Sequence, residues 1–293
     1  MEQRPPRLRI RTIVAATDLS RAAYTAVQRA ALIARAHGAS LELLHVVSRP
    51  SVSNAWREML HSAGLREGQL RDQAAQQLRE VGALVRAEFG VEVTTHVAEG
   101  KPYAEIAARI EALDPDLVVV GAHGENALLT PVLGTTAHRV LRLSGAPVLL
   151  SKQEVPAPYA NVVIATDFSE HAAWAAKCAR PLVGDAGTTF VHVQEDAQGW
   201  STARGALSQA ALEQYRTRAL EESKAKLDAF VAALSWPAAH TVVLQGAPAM
   251  RLREYARDNG ADLIVFGAAG RPAVLGSVSM RLVTDAHCDV LLA

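Results

Sequence analysis

Short apolar runs alternate with amphipathic stretches along the whole chain. Ile10–Ala16 reads as a buried strand. After it, Asp18 or Ser20 can cap a helix running to His37–Gly38, where glycine serves as a stop. Leu41–Val47 is a second strand. A long helix follows near 64–89, with Leu70, Ala74, Leu78, Val81 and Val85 recurring on one face. Val91–Val97 alternates as a third strand, and Pro102 fits the first turn of a helix over 101–112. Leu117–Val120 is a fourth strand ending in Gly121. Thr135–Leu143 is a last helix, with Ala137, Val140 and Leu141 on one side, and Pro147–Leu150 a fifth strand. Strands joined by helical crossovers predict a parallel, doubly wound sheet.

The pattern then starts again. IVAATDLS at 13–20 is answered by VVIATDFS at 162–169, with five of eight positions identical. EGKP at 99–102 is answered by QGAP at 245–248, and DLVVVGAHG at 116–124 by DLIVFGAAG at 262–270. Three segments recurring in one order, at offsets of 149, 146 and 146 residues, define a tandem repeat. The expected domains are 1–150 and 161–293, with a linker over 151–160 carrying Pro156 and Pro158.

Composition narrows the setting. Hydrophobic residues make up 49% and aromatic residues 5%, which suits helices packed on a parallel sheet. Thirty basic residues balance thirty acidic ones, so no global attraction to nucleic acid or to an anionic membrane is expected. Arg4, Arg7, Arg9 and Arg11 form a basic tail interrupted by Pro5 and Pro6, read as a solvated lead-in. Cys178 and Cys288 have no metal-binding spacing, and free thiols in a reducing compartment fit best. With no membrane-length apolar run and no signal-peptide core, the cytoplasm is the expected location.

Chemistry concentrates after the fourth strand. Gly121-Ala-His-Gly124 is followed by nine residues and then Gly134-Thr135. Gly124 leaves no Cβ in the way of a ligand, and Gly134-Thr135 opens a helix whose free amides favour phosphate oxygens. The Thr135 hydroxyl can add a hydrogen bond or cap the helix. The loop is neither a Walker A loop nor the Rossmann fingerprint.

This G-x2-G-x9-G-[ST] spacing, with Asp18 just after the first strand, resembles the ATP-binding pattern of the universal stress protein (UspA) family. The closing stretch LGTTAHRVLRLSGAPVLL is similar too, and the resemblance spans nearly the whole chain in two copies. It implies an α/β fold of two tandem Rossmann-like (adenine nucleotide alpha hydrolase-like) domains. Each would be a five-stranded parallel sheet of order 3-2-1-4-5 with helices on both faces, placing the first and fourth strand ends at the topological switch point. The resemblance implies ATP as ligand, with or without magnesium. Asp18 would face the ribose, Val46 would edge the adenine, and Gly121, His123, Gly124, Gly134, Thr135 and Thr136 would lie around the phosphates, with Ala16 also in the site. It also implies that the two domains pair within the chain and that two chains form a homodimer. His45 and His192, in matched strands, read as core-edge residues, and Glu125 is an acidic departure beside the phosphate loop.

The second copy departs further. Gly267-x2-Gly270 is kept, but only five residues separate it from Gly276-Ser277. The loop loses more than about 10 Å of extended reach. A weaker second site is expected at Asp167, Val193, Gly267, Gly270, Arg271, Gly276 and Ser277, with Arg271 as a phosphate contact or a solvated residue. Asp289 stands where the first copy has Pro147. Three functions compete: an ATP-binding regulatory protein of the stress response, a slow ATPase, and a nucleotide-free interaction scaffold.

Overall fold

The computed structural model describes residues 9–48, 67–122, 133–152, 157–195, 208–236, 238–268 and 276–293. They fall into two compact units, one built on Met1–Pro158 and one on Tyr159–Ala269 with Leu275–Leu291.

In the first unit the elements run β1 (Thr12–Ala16), α1 (Arg21–His37), β2 (Ser40–Ser48), α2 (Glu67–Phe89), β3 (Val93–Gly100), α3 (Pro102–Leu113), β4 (Leu117–Gly121), α4 (Thr135–Leu143) and β5 (Val148–Ser151). The strands lie in the order β3-β2-β1-β4-β5, every neighbouring pair parallel. Ile13, Val14 and Ala15 are consecutive and at most 1% exposed, so both faces of the central strand are covered. α1 packs with α2, and α3 with α4, as right-handed crossovers to opposite faces require.

The second unit repeats the plan with β6 (Asn161–Ala165), α5 (Glu170–Val183), β7 (Gly187–Gln194), α6 (Gln209–Ala233), β8 (His240–Gln245), α7 (Pro248–Asp258), β9 (Leu263–Phe266), α8 (Ser277–Asp285) and β10 (Asp289–Leu292). Its strands lie in the order β8-β7-β6-β9-β10, the same 3-2-1-4-5 arrangement. Phe190 on β7 meets Phe230 and Trp236 edge-on, an aromatic cluster without a counterpart in the sequence of the first copy.

Helix ends follow their local chemistry. Ser20 caps α1 by accepting the Ala23 amide, and Gly38 ends that helix in the left-handed region at φ 61°. Pro102 and Pro248 open α3 and α7, where a missing N–H costs nothing. The main difference from the periodicity is β3, which runs to Gly100 because it pairs with β2 as far as Ser48. β1 begins two residues later than its apolar run, since Ile10 is buried ahead of the first ladder pair. Among the described residues no helix is long and apolar enough to cross a membrane.

Candidate functional site

Each unit carries the same turn after its first strand, built from Thr-Asp-apolar-Ser. In the first, the Leu19 amide donates to Thr17 Oγ1 at 3.0 Å, the Ser20 amide to Asp18 Oδ1 at 3.0 Å, and the Ala23 amide to Ser20 Oγ at 3.1 Å. In the second, Phe168, Ser169 and Ala172 donate in the same way to Thr166, Asp167 and Ser169, at 2.9, 2.9 and 3.2 Å. Three successive side-chain acceptors hold Leu19 and Phe168 at φ 67°, a conformation that a bulky residue rarely adopts unaided. Ser20, not Asp18, is therefore the helix cap, and Asp18 braces the turn while its carboxylate stays exposed.

A histidine ties each turn to the neighbouring strand. His45 Nδ1 lies 2.9 Å from the Thr17 carbonyl oxygen and His192 Nδ1 2.9 Å from that of Thr166. Both are half-buried at the edge of the core.

The glycine segment of the first unit is closed at its base. The Ala122 amide donates to Ser151 O and the Gly134 amide to Ala122 O, both at 3.0 Å. Gly121 and Gly134-Thr135 are thus held together although twelve residues separate Gly121 from Gly134 in sequence. Gly134 is the N-cap residue of α4, and no side chain caps that helix, so Thr135 does not act as its cap. Ala16 pairs with Leu44 on one side and Val120 on the other. Asp18 and Gly121 consequently emerge at the same sheet edge, with Val46 on the adjoining strand. His123 and Gly124 lie outside the described residues.

In the second unit a cavity of about 490 Å³ opens at the carboxyl ends of β6, β7 and β9, and Asp167, Val193 and Gly267 line it. A second cavity of about 390 Å³ is lined by Ser277, Arg281 and Ala249. Glu195, Pro248 and Val278 belong to both walls, so the two adjoin. Gly276 is the N-cap residue of α8, without a side-chain cap. Gly270 and Arg271 lie outside the described residues. Burial raises the Asp167 carboxyl, but hydrogen bonds from the Ser169 side chain and from backbone amides, with nearby His171, outweigh it and hold Asp167 below the usual carboxylate range.

Gly267 has a packing role that its motif did not reveal. A Cβ there would sit 2.5 Å from both the carbonyl carbon and oxygen of His171, and 2.8 Å from the Ala172 nitrogen, so only glycine lets the strand end pass the first turn of α5. Arg281 and Glu195 were not singled out from sequence. Arg281 follows Ser277 at i+4, one helical turn on, and that spacing was the available signal.

A sequence model of the Universal stress protein family matches residues 9–152 and again 158–293. The chain belongs to that family. A universal stress protein of Mycobacterium tuberculosis is 29% identical over 96% of this chain and 94% of its own length. One of Methanocaldococcus jannaschii is 44% identical over 57 residues, 18% of this chain and 34% of that protein. Among solved structures, a universal stress protein from Archaeoglobus fulgidus superposes over 96% of this chain and 97% of its own, with a TM-score of 0.64 at 18% identity. That likeness establishes the fold: two universal stress units, each a Rossmann-like α/β layer.

Proposed function

We propose that this tandem universal stress protein is a regulatory protein of the stress response that binds ATP, with or without magnesium, chiefly in its first domain. The observation that carries the reading is the closed base of the first glycine loop. The Gly134–Ala122 hydrogen bond sets an uncapped helix N-terminus beside the ends of β1 and β4, where open parallel sheets take ligands. In this reading the full nine-residue spacing between Gly124 and Gly134 leaves room for a polyphosphate. Ala16, Asp18 and Val46 hold the nucleoside, and Gly121, His123, Gly124, Gly134, Thr135 and Thr136 the phosphates. The domain boundary falls within 151–160, the two domains pair in the chain, two chains form a homodimer, and the protein works in the cytoplasm. The two free cysteines support that location.

Regulation follows if ATP has different affinities for two conformations of the chain. The test is mass spectrometry of small molecules released from protein purified without added nucleotide, followed by ATP calorimetry. About one ATP per chain, lost in Asp18→Ala and Gly124→Glu, is the expected result. A flat titration of well-folded protein would reject the ATP reading and favour the scaffold.

A further inference from the structure

The two repeats protect their outer strands differently. Among the described residues β3 has β2 as its one strand neighbour and β8 has β7, so the far side of each is an open edge. An open edge templates pairing with another chain unless a charge, a proline or a covering element blocks it. The β3 edge is blocked. Leu41 is paired with Val93 and its amide bonds to Glu92, so alternation turns the Val93 carbonyl outward. Arg86 of α2 donates to that outward oxygen at 2.8 Å. Near the end of the strand Arg71, also on α2, forms an ion pair with Glu99 at 3.6 Å.

The β8 edge has lost these devices. At the repeat offset of 146 residues, Arg86 is replaced by Ala232, Arg71 by Thr217 and Glu99 by Gln245. The strand reads HTVVLQ, without proline, lysine, arginine or carboxylate. Val242, Val243 and Leu244 stay only half-buried, although α6 and α7 both pack on the strand.

The ladder fixes which backbone groups face outward. The Gly246 amide donates to Gln194, and Gln194 is paired with Gln245. Alternation therefore turns the N–H and C=O groups of Thr241, Val243 and Gln245 away from β7. These residues are spaced evenly about Val243. A two-fold axis through Val243 sets that residue against its own copy and Thr241 against Gln245, each pair exchanging both its hydrogen bonds. Val242 then falls opposite Leu244, apolar against apolar, and no strand charge meets its like.

We propose that the β8 edge is a docking surface for a second copy of this chain, the two β8 strands pairing antiparallel into one continuous sheet. The self-complementary register selects a second copy over an unrelated extended peptide, because one strand supplies both halves of every pair. This gives the proposed homodimer its surface, and it rests on that reading.

The experiment is sedimentation of the full chain over a concentration series, with wild type, Gln245→Glu, Val243→Cys and Thr95→Cys. Wild type should dimerise. Gln245→Glu restores the carboxylate of the first repeat and sets it against Thr241 of the second copy, whose hydroxyl already donates to Asp228. The dimer dissociation constant should rise about tenfold. Gln245 is exposed, so this variant should melt with wild type. Val243→Cys should cross-link two chains under mild oxidation, since hydrogen-bonded antiparallel partners lie about 5.5 Å apart at Cα, within disulfide reach. Thr95→Cys, on the guarded β3 edge, should not. A monomer at every concentration would overturn both the seam and the homodimer. A dimer that Gln245→Glu leaves unchanged, or that Val243→Cys fails to lock, would overturn the seam alone.

Discussion

Tyr159 donates its phenolic hydroxyl to Asp289 Oδ2 at 2.9 Å, and both residues are buried, Asp289 with no exposure at all. Asp289 stands where the first repeat has Pro147, so this strand start carries a carboxylate into the core and needs a donor there. Tyr159→Phe should lower unfolding free energy by about 1–3 kcal/mol, the cost of leaving a buried acceptor short of a hydrogen bond. Urea denaturation checks this, and a wild-type midpoint would show that the contact contributes nothing.

Two glycines in the second glycine segment should behave oppositely. Gly267→Ala drives a methyl into the His171 backbone, which cannot yield as a flexible side chain would, and should cost about 1–3 kcal/mol. Gly276→Ala meets nothing within 4 Å and should fold like wild type. Thermal melts of the pair separate packing from ligand effects, since both are read without nucleotide.

In the first domain Arg109 on α3 grips Glu42 on β2 with two hydrogen bonds, Nε to Oε1 at 2.7 Å and Nη2 to Oε2 at 2.6 Å. The Glu42 side chain is 9% exposed and that of Arg109 27%. Removing arginine leaves a carboxylate in the sheet, so Arg109→Ala should destabilise by roughly 2–4 kcal/mol, more than Arg109→Ala/Glu42→Ala does relative to Glu42→Ala alone. A double-mutant cycle in urea measures the coupling, and additive effects would exclude it.

Asp167 predicts an acid dependence with a definite sign. Its folded carboxyl titrates below the ordinary range, so its contribution is present above the unfolded value and is lost as pH falls through the folded one. Asp167→Asn should therefore be less stable than wild type above roughly pH 4, with the gap closing toward pH 2. Because the residue is exposed, the gap should be small. A gap that widened on acidification would contradict the hydrogen-bond assignment.

Burial pushes the Cys178 thiol up to about 12, and Cys288 is buried as a free thiol. Reaction with a disulfide dye at pH 8 should be slow in the native protein, at Cys178 because the reactive thiolate is scarce and at Cys288 because the dye cannot reach it, and rapid at both in denaturant. Fast native labelling of Cys178 would show that α5 opens readily.

The repeated strand–helix order, the Ser20 cap, the stop at Gly38 and the span of α4 were legible because periodicity and end chemistry are local. So was the recurrence of Asp18 as Asp167, although its role was not. Whether an aspartate caps a helix or braces the turn before it depends on a two-residue difference in where the helix starts, which the letters do not encode. The side cavity beside Arg281 was invisible for a different reason. It arises from what Ala249 lacks, and a void depends on the shapes of residues distant in sequence. The packing role of Gly267 was hidden because strand ends and ligand loops use the same residue for close approach.

Within the turns at Thr17–Ser20 and Thr166–Ser169 the side-chain acceptors reach no more than three residues along the chain, and His45 and His192 anchor each turn to the next strand. Scaffold integrity at that corner is thereby insulated from whatever the neighbouring loop recognises. A duplicated chain of this kind can let one half drift toward a new cargo while its twin keeps the old one, and neither has to risk its fold in the process.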